Sequence, residues 1–307
     1  MTSINTNRAA MTALASLNAT NMKLDAAQQR ISTGLRVSSA QDNAAYWSIA
    51  TTMKSDNSSL STVKDALGLG AATVDVTYTA LNSDITIAQK IKDKLVAALQ
   101  PGVDRTKIQA EVSSLQQQLK STADSANFSG SNWLSEDSSD PSYNPTKSIV
   151  SSFQRDSTGI SIQTITFDGT TSKLFDPSNQ SGILDKTSTT TNGGVVYSVS
   201  TLDVSTINDS AADTADLTEM IKTVDAAIGS MTNSAAGLGA MKTRIDSQSS
   251  FISSLMDAIT RGVGTLVDAD MSEESTKLQA LQVQQQLGTQ ALSIANQSSQ
   301  SILSLFK

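Results

Sequence analysis

No histidine and no cysteine occur among the 307 residues. Without His the chain lacks the usual general base and the commonest metal ligand. Without Cys it has no thiolate nucleophile, no zinc–thiolate site and no disulfide that could trap it on its way out of a cell. Aromatics make up 4% and hydrophobic residues 38%, the latter below the range of ordinary globular domains. A thick core is therefore not expected, and a thin seam of helix on helix is. No apolar run approaches the length needed to span a bilayer. The first residues, Met1 to Arg8, show no basic stretch followed by an apolar one, so no cleavable secretory signal is expected. A net charge of −7 disfavours non-specific binding to nucleic acid. Neither nucleic acid nor membrane is expected as a partner.

What the chain does have is hydrophobic period. Met53, Leu60, Leu67, Val74, Leu81, Ala88 and Leu95 form one ladder of seven-residue steps. Leu217, Val224, Met231, Leu238, Ile245, Ile252, Ile259 and Leu266 form a second. A repeat of seven is the seam of a left-handed coil. The sequence thus predicts one long helix running out and another running back. The outbound helix is expected from about 43 to 99, roughly 80 Å long, capped by Asp42 or Asn43 and ended by Pro101-Gly102. Asp104 is expected to cap a shorter helix to about 128, with Ile108, Val112, Leu115 and Leu119 on one face. Gly237 and Gly239 could permit a bend in the return helix.

The chain ends read as amphipathic helices. Residues 3–33 carry Leu17, Leu24 and Ile31 at intervals of seven, with Ile4, Met11 and Leu14 on neighbouring turns. Gly34 and the Ser residues after it break the pattern. A final helix is expected from near Asp270, where Asp270-Met-Ser-Glu273 resembles a capping box, to about 305. Leu278, Leu281, Leu287, Leu292, Ile294, Ile302 and Leu305 supply its apolar surface among many Gln residues. Pairing the two end helices with each other buries only one side of each, and an isolated helix is marginal in water. The ends are therefore expected to be frayed in the monomer and ordered by contacts with other subunits, an ordinary intramolecular pair being the alternative.

Between the ladders the composition changes. Ile160 to Phe167 alternates like a strand, Asp168-Gly169 suits a hairpin turn, and Val195 to Val199 is a second strand. Residues 129–209 are expected to form a small β-rich outer domain. The fold class is thus mainly α: a long antiparallel coiled-coil rod formed by both chain ends, with that domain inserted in the middle.

No constellation supplies enzyme chemistry. Asp268, Asp270, Glu273 and Glu274 match no calcium-loop spacing and are explained as carboxylates at a helix start. The abundant Ser residues have no His partner, nucleophile elbow or SxxK motif. Gly68-x-Gly70 has no phosphate-loop context and is expected to permit close helix packing. Trp47 and Trp133 are expected to be packing anchors at helix ends. Lys90, Lys92 and Lys94, with Asp93, read as a solvated or subunit-facing surface. No catalytic residue, metal or cofactor is expected.

Several stretches carry a family resemblance. Ile4-Asn-Thr-Asn7 and Gln29-Arg-Ile-Ser-Thr-Gly-Leu-Arg-Val-Ser-Ser-Ala40 resemble bacterial flagellin. So do Asp268-Ala-Asp270, Gln284-Gln-Gln-Leu-Gly-Thr289, Ala295-Asn-Gln297 and Ser301-Ile-Leu-Ser-Leu-Phe306. Met271 to Val283 is similar to the alphaproteobacterial, rhizobial-type branch. The resemblance covers both ends in the right order and leaves the middle unmatched. It implies a subunit that self-assembles into the extracellular flagellar filament for swimming. It further implies that residues 1–41 with 268–307 line the filament channel, that 42–128 with 210–267 form the next shell, and that 129–209 face solvent. Ile4, Leu14, Leu17, Leu24, Ile31, Leu278, Leu281, Leu287, Leu292, Ile294, Ile302 and Leu305 would carry self-assembly. Partners would be copies of the same chain, related flagellins, an export chaperone, the filament cap and hook-junction proteins, with export through the flagellar type III apparatus. A hook–filament junction protein and a secreted coiled-coil adhesin or immune-modulating protein are the alternative readings.

Two departures from the family pattern bear on detection by hosts. Where many flagellins carry an Arg and an Arg-Glu-Leu for mammalian innate receptors, this chain has Gln89-Lys90-Ile91-Lys92-Asp93-Lys94-Leu95-Val96. Lys94 stands where Leu is usual. In Gln29 to Ala50, which resembles the peptide sensed by plant receptors, Gln41, Asn43 and Tyr46 replace Lys, Asp and Gly. The resemblance therefore implies weak detection by both.

Overall fold

The computed structural model describes residues 6–156 and 159–304, with side chains described to Gln297. Its elements in chain order are α1 (Arg8–Thr33), α2 (Ala44–Ala98), α3 (Arg105–Ser125), β1 (Asn127–Phe128), β2 (Ser131–Asn132), β3 (Thr146–Asp156), β4 (Gly159–Asp168), β5 (Ser188–Thr189), β6 (Val196–Tyr197), α4 (Ala211–Val267) and α5 (Met271–Ser304). They fall into two compact units, one of residues 59–255 and one of residues 1–58 with 256–307.

In the first unit the seven-residue ladders are the core. Leu60, Leu67, Val74, Leu81, Ala88 and Leu95 of α2 are buried, as are Leu217, Val224, Met231, Leu238, Ile245 and Ile252 of α4. So are the residues three places on from each α2 rung: Val63, Gly70, Thr77, Asp84, Ile91 and Ala98. That is the two-position stripe of a heptad seam. Lys92 pairs with Asp225 at 2.7 Å and Lys242 pairs with Asp75, so α2 and α4 run antiparallel. Met53, expected as the first rung, is exposed. It lies outside this unit, on the polar-rich stretch Thr51 to Ser59, where the stripe loses its apolar partners.

Capping chemistry fixes the helix ends. Asn43 Oδ1 accepts from the Tyr46 amide at 3.1 Å and starts α2, while Asp42 accepts from the amides of Ser38 and Ser39 and shapes the turn before it. Asp104 caps α3 through the Lys107 amide. Arg105 is buried and clasps three segments: Nε donates to the Ala98 carbonyl, Nη1 to the Ile207 carbonyl and Nη2 to Asp209. A buried guanidinium is tolerated because each face of it is satisfied. Despite Gly237 and Gly239, α4 is assigned as one uninterrupted helix.

The strand content of the middle region consists of three two-stranded antiparallel ladders, β1–β2, β3–β4 and β5–β6. The expected strand over 160–167 is present in β4, but the turn prediction fails. The hairpin closes between Asp156 and Gly159, before β4. Asp168 instead caps a short 3-10 turn, its Oδ1 accepting from the Thr170 amide and hydroxyl. An Asx cap and a hairpin turn share the Asp-Gly signature, and local sequence does not separate them. The expected strand over 195–199 shortens to Val196–Tyr197. Elsewhere in the middle region polar groups hold the loops together. Burial alone would raise the pKa of Asp176, yet hydrogen bonds from Lys173, Ser138 and Ser181 hold it well below the usual carboxylate range.

Two contacts seat the long hairpin on the helices. Ile149 of β3 lies over Gly70, where an added Cβ would stand 2.4 Å from Ile149 Cγ2. Phe167 of β4 lies over Gly237, with 3.3 Å to an added Cβ, and stacks on buried Trp133 with ring centroids 6.2 Å apart. The glycine expected to permit helix–helix packing thus serves hairpin–helix packing, and Gly68 faces open space. This contrast is testable. Gly70→Ala should lower stability by about 1–3 kcal/mol through overpacking. Gly68→Ala should raise it by up to about 1 kcal/mol through helix propensity. Thermal unfolding of the two variants checks both signs.

Candidate functional site: the paired chain ends

The second unit is built on α1 and α5. Asn7 caps α1, its side chain accepting from the Ala10 amide. The helix therefore begins at Arg8, later than the expected residue 3; residues 1–5, Ile4 included, lie outside the described residues. Gly34 ends α1 in the left-handed region at φ 71°, donating its amide to the Arg30 carbonyl. At the start of α5, Asp270 Oδ1 accepts from the amides of Ser272 and Glu273, the N-cap half of the expected box.

The connector after Gly34 is strapped to the end of α4. The amides of Arg36 and Val37 both donate to the Val267 carbonyl, and the Ala269 amide donates to the Gly34 carbonyl. Val37, Ala50, Val263 and Val267 form a small core there, with Leu35, Ile259 and Leu266 packed on it. Ile259 and Leu266, the last two rungs of the second ladder, thus serve this cluster.

Three polar contacts set α1 against α5. Asn7 Nδ2 donates to the Ala295 carbonyl at 2.9 Å, Gln285 Nε2 to Asn21 Oδ1 at 2.8 Å, and Arg30 Nη1 to Glu274 Oε1 at 3.0 Å. Rising positions on one helix meet falling positions on the other, so the pair is antiparallel and intramolecular. Gly288 allows close approach, since an added Cβ would stand 3.1 Å from Leu17 Cδ1. The apolar core between the helices is thin: Leu24, Ala27 and Leu281, with Leu278 packed against them.

The expected assembly residues therefore divide. Leu24 and Leu281 are buried inside the pair, and Leu17, Ile31, Leu278 and Leu292 are half-buried. Leu14, Leu287 and Ile294 are exposed, the last two at 58% and 66%, together with Met11, Met22 and Val283. Leu305 lies outside the described residues, and Ile302 lies beyond the described side chains. Trp47 is 39% exposed beside exposed Tyr46, Ile49 and Met53. It is not the packing anchor that its position at a helix start implied; Trp133 is.

On α2, Gln89, Lys90 and Asp93 are exposed. Lys92 and Lys94 are tied to Asp225 and Glu111, so their charges are shared with α4 and α3. The hydrogen bond from Lys92 to Asp225, with the attraction of that carboxylate, raises the lysine's pKa. Among the described residues no group of three or more Asp or Glu is placed to hold a metal, and no helix is long and apolar enough to cross a membrane.

These features define a helical subunit whose two ends form one pair with apolar surface left over. Comparison with known proteins names the family. Residues 4–139 match the bacterial flagellin N-terminal helical region, and residues 221–306 match the bacterial flagellin C-terminal helical region. The chain belongs to the bacterial flagellins. It is 50% identical to flagellin C and 42% identical to flagellin A of Rhizobium meliloti, and 46% identical to a flagellin of Brucella melitensis. Each alignment covers 100% of both chains. A crystal structure of Bacillus cereus flagellin aligns with 62% of this chain and 88% of its own, at 19% identity and a TM-score of 0.40. The membership rests on the sequence matches. Flagellins are structural proteins, and this chain is a structural subunit that self-assembles into the flagellar filament for swimming motility.

The ion pair across α1 and α5 provides a test of how the ends are held. Arg30→Met leaves the buried Glu274 carboxylate with only Lys277, at 3.8 Å. The pair should lose about 2–3 kcal/mol. Hydrogen exchange of the amides around 24–30 and 274–281 should quicken, with the helices of residues 59–255 unchanged.

Proposed function

We propose that assembly is carried by the apolar residues of the two end helices. Leu14, Ile31, Leu287, Leu292 and Ile294 act outward on neighbouring copies, while Leu17, Leu24, Leu278 and Leu281 hold the pair. The observation that carries this is the mismatch between the thin core inside the pair and the large apolar side chains left on its surface. Contiguous exposed apolar surface is a mark of association. In this reading residues 1–41 and 268–307 line the filament channel, 42–128 with 210–267 form the next shell, and 129–209 face solvent. The ends gain their full order only on meeting other subunits, so folding and assembly are coupled. Four differently named flagellins of Rhizobium meliloti, A to D, support partners that include related flagellins as well as copies of this chain. Family membership supports export through the flagellar type III apparatus without a cleaved signal. It also supports escort by a flagellin chaperone and contacts with the cap and hook-junction proteins.

The same reading extends to host detection. Lys94, bridged to Glu111, puts a charge where the family offers an apolar contact, and Lys92 is engaged with Asp225. Tyr46, exposed at the start of α2, adds bulk where Gly is usual. Both changes weaken receptor docking.

Two measurements test these proposals. Deleting residues 278–307 should leave a soluble, partly helical monomer that sediments as a single subunit and forms no tubes by electron microscopy; filaments from that truncation would overturn the assignment. Purified monomer should activate the mammalian and plant flagellin receptors about tenfold or more weakly than an enteric flagellin. Equal potency would refute the second proposal.

A further inference from the structure

We propose that Asp84 is a protonation-operated latch in the subunit's helical core: uncharged, it lets α3 close on α2; ionised, it draws water into the groove between them and loosens that seam. Asp84 occupies a core position of the heptad stripe, where the neighbouring core positions are Thr77 and Ile91. It is 0% exposed, and among the described residues neither carboxyl oxygen has a hydrogen-bond partner. A carboxylate in that setting has lost its water and gained nothing in return, which is the most costly form of burial. The neutral acid avoids most of that cost.

A route for water lies close by, although Asp84 itself is not on its wall. A groove of about 770 Å³ runs between α2 and α3, lined among others by Ala80 and Ser83 from one helix and Gln118, Ser121 and Thr122 from the other. Ala80 and Ser83 lie within one helical turn of Asp84, and Thr122 is the α3 residue that acts on it. The hydroxyl of Thr122 is the group from α3 that favours the charged form, but it donates to the Gln118 carbonyl at 2.9 Å. Burial outweighs it and pushes the pKa of Asp84 up to about 8.

Other charged groups around this seam are already matched. On α3, Lys120 and Asp124 pair with each other, and Glu111 pairs with Lys94. On α4, Asp225 pairs with Lys92, and Lys242 pairs with Asp75. On α2 itself Lys90 and Asp93 are exposed. Asp185, in the middle region, is also raised by burial, but it is a separate background that a change at Asp84 leaves in place. Asp84 thus gives a chain with no His a core carboxyl whose pKa is pushed far above the usual carboxylate range.

The sign follows from linkage. The folded state holds the Asp84 proton up to about pH 8, whereas the unfolded chain releases it near pH 4. Between those values folding takes up a proton, so stability falls as pH rises; above the folded pKa the loss is complete and the curve is flat. Loosening of the folded seam, by contrast, begins only as Asp84 itself ionises.

The test compares full-length monomer with Asp84→Asn across pH 4 to 9.5. The unfolding constant of the wild type should rise relative to the variant by up to about tenfold per pH unit from about pH 4 to 8 and then run parallel. Hydrogen exchange at Gln118 to Ser125 should quicken in the wild type above pH 8 relative to the variant. Parallel stability profiles over the whole range would overturn the proposal and leave Asp84 as a polar residue that sets helix register. If Asp84→Asn does not fold, carbon-13 shifts of labelled Asp carboxyls in the wild type decide instead. The Asp84 resonance, identified by its loss in Asp84→Ser or by nuclear contacts to Thr122, should titrate above pH 6.5; a midpoint below 5 would overturn the latch.

Discussion

The seam between α2 and α4 is the constraint on which the larger unit depends. Every core position of α2 from Leu60 to Ala98 is buried, and the facing rungs of α4 from Leu217 to Ile252 are buried with them. A seam of this kind needs one stripe of Leu, Ile, Val and Ala per helix and no second layer. That explains a low hydrophobic fraction and a scarcity of aromatics in a well-packed structure. Other elements attach to the seam where it is narrow or polar. The long hairpin settles on Gly70 and Gly237, and Ser234 donates to the Thr171 carbonyl. At Asp84 the seam carries a carboxyl, and there α3 and the groove beside it meet α2.

Most of the helical plan was readable from the residues, because it rests on signals that act locally. Period seven predicted both long helices, and Asn43, Asp104 and Asp270 sit at the caps where their side chains can accept backbone amides. What was not readable depended on tertiary packing. Counting only every seventh residue captured one core position of each heptad and passed over the second, where Thr77, Asp84 and Ser234 are found. A polar residue at that spacing looks like surface until the partner helix is placed on it. Asp168-Gly169 had the composition of a hairpin turn, yet the strand pairing runs the other way and leaves it as a cap. Trp47 is large and apolar, but no element within its own unit covers it.

The terminal pair follows a different physical rule. Its polar contacts are specific, with Arg30 on Glu274 and Asn7 on the Ala295 carbonyl, while among the described residues its buried apolar core is Leu24, Ala27 and Leu281. Specific hydrogen bonds fix register; buried area supplies most of the stability. A pair rich in the first and poor in the second is well aligned but weakly held. The Gln residues of α5 fit that balance, since they are good helix formers that add no apolar driving force.

For a subunit that must polymerise, weakness at the ends has a consequence that a stronger core would remove. If the end helices buried all their apolar surface against each other, contact with a second copy would gain little. On the reading proposed above, leaving Leu14, Leu287 and Ile294 exposed keeps that gain in reserve and ties the free energy of ordering the ends to that of joining a neighbour. The unit built on the seam suits the opposite demand, a shape held by its own buried stripe. One sequence meets both demands by placing a continuous heptad stripe in the middle of the chain and an interrupted one at its ends.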